Sequence, residues 1–99
     1  MILIWLRSRK IFTWKNVSGG FFDTRINRFR KQASPFAISG SSDIIGLLPQ
    51  GRFLAIEVKA PKGVVTPLQQ DFIDKINNSG GLAFVARDLE TVKEKLGDI

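Results

Sequence analysis

An aspartate at position 43 is followed by a glutamate at 57 and a lysine at 59, and these three residue types can do acid, base or metal chemistry together. Arg52 to Ala60 reads as a β-strand, in which alternate side chains share a face. Phe53, Ala55, Glu57 and Lys59 then project to one side, and Leu54, Ile56, Val58 and Ala60 to the other. Asp43 opens a second strand running to Leu48, and Pro49-Gln50-Gly51 supplies the turn of an antiparallel hairpin. With a three-residue turn, Leu48 opposes Arg52 and Asp43 opposes Glu57, their Cβ atoms about 4.5–5.5 Å apart. A two-residue turn shifts the register by one and removes that facing arrangement.

Two facing carboxylates repel and call for a cation, of which Lys59 supplies one. Their oxygens suit a hard ion such as Mg²⁺ or Mn²⁺. Such a site favours hydrolysis of a phosphodiester, and a neighbouring lysine can orient or deprotonate the attacking water or neutralise transition-state charge. The alternative reading of the same residues is structural: an ordinary strand ion pair between Glu57 and Lys59, with Asp43 capping a turn. Two features favour chemistry. Glu57 and Lys59 interrupt an otherwise apolar strand, where burying charge needs a reason, and Gly40-Ser41-Ser42 leaves uncluttered backbone just before Asp43.

Composition narrows the chemistry further. The 99 residues contain no cysteine and no histidine, which excludes disulfides, thiolate zinc sites, thiol nucleophiles and every imidazole-based mechanism. The longest apolar run, Met1 to Leu6, is far below the roughly 18 residues of a membrane span and lacks the features of a signal peptide, so no membrane partner is expected. The net charge of +6 is unevenly spread: residues 1–42 carry eight cations against the single acid Asp23, and residues 43–99 carry seven cations against eight acids. Arg25, Arg28, Arg30 and Lys31 lie close together, near Trp14, Phe21, Phe22 and Phe29. That combination suits a phosphate-binding surface, and Lys15 and Lys62 join it as candidate nucleic-acid contacts. A solvated loop is the plain alternative.

These residues need positioning elements. Residues 1–10 suit the last turns of a helix with Arg7, Arg9 and Lys10 at its negative end, and Ile11 to Val17 are β-prone up to Ser18-Gly19-Gly20. A long loop or irregular hairpin is expected over 21–40. After the central hairpin, Thr66-Pro67-Leu68-Gln69 carries a helix start, with Thr as N-cap, Pro at the first position and Gln completing a capping box. Leu68, Phe72, Ile73 and Ile76 give the helical spacing, and Gly80-Gly81 closes the helix. A strand over Leu82 to Ala86 and a helix capped by Asp88 follow. The sum is one α/β domain over residues 1–99, a mixed sheet flanked by helices.

In their order, Gly40-Ser-Ser-Asp43-Ile-Ile-Gly46, Gly51-Arg-Phe-Leu-Ala-Ile-Glu57-Val-Lys59, Thr66-Pro-Leu-Gln69-Gln-Asp-Phe72 and Gly80-Gly81 resemble the virus-type replication-repair nuclease (VRR-NUC) domain, a branch of the PD-(D/E)xK nucleases. Trp14 to Gly20 looks like the family's turn ahead of its basic loop, and the resemblance runs from about residue 10 to 92. It implies a restriction-endonuclease-like fold and Mg²⁺ or Mn²⁺ held by Asp43, Glu57 and the carbonyl of Val58. It also implies Lys59 as catalytic lysine and Gln69 as an active-site residue, a role that competes with Gln69 in the capping box. The implied activity is structure-specific cleavage of branched DNA such as Holliday junctions by a homodimer, inside the cytoplasm of a bacterial host, from a phage or bacterial protein. Ser42 stands where the superfamily nominally has Pro, and residues 1–10 contain no acid where members usually carry a metal-binding Glu on the first helix. That departure keeps open a catalytically weak or inactive junction-binding module, and a flap or single-strand nuclease is a third possibility. Met1 to Leu6 offers either a dimer surface or core packing.

Overall fold

The computed structural model describes residues 1–16, 21–23, 28–30 and 40–97. Helix α1 (Ile2–Ser8) leads into β1 (Phe12–Lys15), and the short strands β2 (Phe21–Asp23) and β3 (Arg28–Arg30) pair antiparallel by themselves, a hairpin within the expected irregular region. Strand β4 (Ile44–Leu48), a single 3₁₀ turn at Pro49–Gly51, and β5 (Arg52–Val58) form the central hairpin. Helix α2 (Pro67–Asn78), β6 (Leu82–Ala86) and α3 (Leu89–Leu96) complete the order. The main sheet runs β1-β4-β5-β6, antiparallel through β1, β4 and β5 and parallel between β5 and β6. It is a mixed sheet flanked by helices, in the α/β manner of restriction-endonuclease-like folds.

The turn has three residues, so Leu48 opposes Arg52 and Ile44 opposes Ile56. Gln50 and Gly51 both take positive φ (69° and 77°), which is how so short a link reverses the chain. Strand alternation then divides the core. Leu54 and Ile56 join Ile44, Leu48, Phe84 and Ala86 under α1 and α3, while Ala55, Ile45 and Ala83 lie under Phe72 and Ile73 of α2. Leu6 of α1 and Val92 and Leu96 of α3 are fully buried, and Ile2, Leu3 and Trp5 pack against the same cluster, so much of the apolar N-terminal run is core; Met1 and Ile4 stay exposed. Leu68, spaced as a core residue, is exposed, because α2 turns its first-turn apolar position away from the sheet.

The helix starts follow their local chemistry. Thr66 accepts the N–H of Gln69 at 3.2 Å, while Gln69 Oε1 accepts the N–H of Thr66 at 2.9 Å, a complete capping box. Asp88 accepts both the N–H and the hydroxyl of Thr91 (2.8 and 2.7 Å), which holds its carboxyl below the usual range. Gly46 faces Thr13 so closely that a Cβ would overlap Thr13 Cγ2 and the Phe12 carbonyl, which lets β1 pack flat on β4.

Candidate active site

The site forms where β4 begins and β5 ends. Sheet pairing of β4 with β5 starts at Ile44 and Ile56, so Asp43 sits one residue outside the ladder and Glu57 is the next position along β5. Asp43 Oδ2 accepts the N–H of Val58 at 3.0 Å. A side-chain carboxylate thus takes over the acceptor role of a strand partner and is pinned beside Glu57. The three-residue turn sets the expected register as far as Ile44 and Ile56, and Asp43 and Glu57 are the next positions beyond that last pair.

The backbone ahead of Asp43 is held from two directions. Asn16, just past β1, donates Nδ2–H to Ser41 Oγ (2.9 Å) and to the Ser42 carbonyl (3.1 Å), and its own N–H reaches the Asp43 carbonyl at 2.6 Å. On the other side Gly40, at φ 79°, lies so near the first turn of α2 that a Cβ would come within 2.7 Å of the Leu68 carbonyl carbon. Only glycine has both that conformation and that clearance.

Glu57 is 3% exposed. Burial, and next the negative charge of Asp43, push its carboxyl up from 4.5 to about 7, against the opposing pull of Lys59. Lys59 Nζ lies 3.8 Å from Glu57 Oε1, an ion pair with little solvent around it. Glu57 Oε2 is buried without a hydrogen-bond partner. An orphaned carboxylate oxygen beside a second carboxylate, with one lysine short of full neutralisation, is a donor set that fits a hard cation. Among the described residues no group of three or more acids, cysteines or histidines comes together, so Asp43 and Glu57 are the side chains present for that role.

Lys59 follows β5 rather than lying inside it, though its N–H continues the ladder to the Ala86 carbonyl at 3.0 Å. The loop beyond it is clamped by Arg87, whose guanidinium donates to the carbonyls of Ala60 (2.8 Å) and Gly63 (2.7 Å). Lys62 is exposed in that clamped turn, and Lys15 is exposed at the end of β1. Lys15, Asp43 and Val58 line one cavity of about 560 Å³ together with Met1, Ile2 and Leu3. Gln69 stands on the α2 turn that Gly40 touches, with its Oε1 engaged in the cap. Arg28 and Arg30 belong to β3, in register with Asp23 and Phe21; Arg25 and Lys31 lie outside the described residues.

Asn16 and Arg87 were not legible as site residues in the sequence. Each bonds a partner more than twenty positions away, so only the register of β1 and the crossover to β6 reveal them. An exposed-looking Asn at the end of a β-prone run was the one available hint.

The mixed sheet thus presents two carboxylates and a lysine at the end of its central hairpin. Residues 25–88 match the VRR-NUC domain, and the chain belongs to that nuclease family. Comparison with curated proteins and with solved structures found no match. Among the described residues no helix is long and apolar enough to cross a membrane.

Proposed function

We propose that this chain is a divalent-metal-dependent endonuclease that hydrolyses phosphodiester bonds of branched DNA, four-way junctions included, and works as a homodimer in the cytoplasm of a bacterial host. The observation that carries the reading is Glu57: buried, beside Asp43, paired with Lys59 and left with an unpartnered oxygen, in a chain of a nuclease family. Asp43 and Glu57 would hold Mg²⁺ or Mn²⁺, with the Val58 carbonyl completing the set that the family resemblance implies. A divalent ion bound there supplies Lewis-acid polarisation of the phosphoryl group and a more acidic water.

The chain's own groups do the rest. Lys59, held against Glu57, places a positive charge where negative charge develops on the phosphate, or orients the attacking water. The Val58 N–H fixes the rotamer of Asp43, and Asn16 and Gly40 fix the backbone that carries it, so the carboxylates need no rearrangement as substrate arrives. Lys15 and Lys62, with Arg25, Arg28, Arg30 and Lys31 from the basic front half, bind the phosphate backbone. A junction needs two symmetric cuts, which a twofold dimer supplies. Gln69 contributes to the site through the helix turn it caps.

The test is cleavage of a labelled four-way junction with Mg²⁺ or Mn²⁺ by the native chain and by Lys59→Ala. A cut product from the native chain, reduced by orders of magnitude in the variant, supports the reading; equal activity or equal inertness refutes it. One observation favours a second reading, a junction binder without cleavage: α1 carries no acid, and two carboxylates form the whole described cluster. Tight, salt-sensitive junction binding with no product at any metal concentration would select it.

A further inference from the structure

The α2 side of the sheet is only partly covered. Helix α2 packs over β5 and β6, and beyond its edge β1 and β4 expose Phe12 (66%), Trp14 (42%) and Leu47 (42%). Phe12 and Leu47 are register partners, as are Trp14 and Ile45. The Phe12 and Trp14 rings lie 5.4 Å apart and tilted by 51°, so together they form a stepped aromatic surface. Ile45 shares its face with Asp43, two residues earlier, which places Trp14 on the diagonal from the catalytic aspartate, about 7–8 Å away. Lys10, exposed, lines one further cavity with Phe12 at that end of the rings, while Lys15, exposed at the other end of β1, alternates to the face of α1.

We propose that Phe12 and Trp14 form a stacking platform for unpaired nucleobases of the substrate strand next to the scissile phosphate. The proposal rests on the nuclease reading and names its substrate class as DNA with unpaired or splayed bases beside the cut. Every base offers a π-face, and exposed aromatics beside a cation, here Lys10, are the physical recipe for holding single-stranded nucleic acid. Paired bases are buried in their own stack and cannot reach the rings, so the platform discriminates by structure rather than by sequence. Charge selects this occupant over a second copy of the chain. A twofold antiparallel pairing of this edge would bring the Lys10 end of one copy against the Lys15 end of the other, whereas a phosphodiester strand along the rings meets Lys10 with opposite charge.

The test is equilibrium binding by fluorescence anisotropy in EDTA, using a fully paired duplex, the same duplex with a short internal unpaired tract, and the single strand. Trp14→Ala is expected to weaken binding to the unpaired and single-stranded probes by about 5- to 150-fold while leaving the paired duplex within about twofold. Trp14→Phe, which keeps a ring, should retain most of the affinity, and Phe12→Ala should act in the same direction as Trp14→Ala. Equal effects on paired and unpaired probes, or no effect on either, overturn the proposal. So does a sedimentation shift to monomer in Trp14→Ala with probe selectivity unchanged, which would make this face a self-association surface. Cleavage by Lys59→Ala reports on the chemistry and EDTA binding on the platform, so the two readings fail separately; a chain that binds none of the probes in EDTA overturns the platform and leaves the nuclease reading to the cleavage assay.

Discussion

Replacing Glu57 by glutamine should stabilise the chain in the absence of divalent ions, and by an amount that grows with pH. Folding raises the Glu57 carboxyl from 4.5 to about 7. Between those values the native state binds more protons than the unfolded one, so this group's contribution to stability falls as pH rises. The contribution corresponds to about 3 kcal/mol, fully present below about pH 4.5 and fully lost once the pH is well above 7. Glutamine cannot titrate, and its amide offers Asp43 a donor where the wild type places a second negative charge. The variant should match the wild type near pH 4.5 to within the difference in amide hydrogen bonding. Towards pH 8 it should exceed the wild type by about 3 kcal/mol, a sizeable fraction of the 5–15 kcal/mol that holds a typical domain folded. Urea unfolding of both proteins in EDTA across pH 4.5 to 8 measures this, with a midpoint shift of about 1–3 M expected at the alkaline end. Titrating groups other than Asp43 and Lys59, which touch Glu57, cancel in the comparison. A difference that stays constant with pH, or a wild type that gains on the variant as pH rises, would refute the account of Glu57 as a destabilised carboxylate.

Divalent ions should close most of that gap: at a concentration of 100 times its dissociation constant, Mn²⁺ stabilises the wild type by about 2.7 kcal/mol. Thermal melts should show this gain disappearing in Asp43→Asn and Glu57→Gln, and an equal gain in all three would place the ion elsewhere. Asn16→Ala removes two hydrogen bonds to the strand that carries Asp43, and should cost about 1–3 kcal/mol in denaturant unfolding. It should also lower the turnover rate with little change in DNA affinity; an unchanged turnover rate would limit Asn16 to a structural role. Thr66→Ala breaks the capping box and should cost about 1 kcal/mol by the same measurement. Gln69→Ala should match Thr66→Ala in stability, and any loss of turnover beyond that of Thr66→Ala assigns Gln69 a part in the chemistry.

Local patterns in the chain were enough for every regular element of the described core. Proline and glycine at 49 and 51 marked the turn, Thr66 and Gln69 the start of α2, Asp88 the start of α3, and alternation across 53–59 put Glu57 on the face opposite Leu54 and Ile56. These features act within a few residues, through backbone dihedrals, caps and side-chain alternation, so no distant partner is needed to read them. Leu68 lies beyond what such local patterns fix. Helical spacing marks it as apolar and correctly phased, but how far around its circumference a helix is covered depends on the width of the sheet beneath it.

By itself the amino-acid sequence bounded the chemistry open to this protein: without histidine or cysteine, reactive groups are limited to carboxylates, lysine, arginine, hydroxyls and any hard cation, with Asp43, Glu57 and Lys59 close together on a short hairpin. The tertiary structure decided the state of those groups. Burial under α2 and the approach of Asp43 raise the Glu57 carboxyl, and the Val58 N–H takes one aspartate oxygen while Glu57 Oε2 is left without a partner. Asn16 and Gly40, which hold the backbone before Asp43, and Arg87, which clamps the loop after Lys59, act across long stretches of sequence. Their roles exist only because the sheet order β1-β4-β5-β6 brings β1 against β4 and β6 against β5, and electrostatic environment, unlike residue type, is a property of what lies nearby in space.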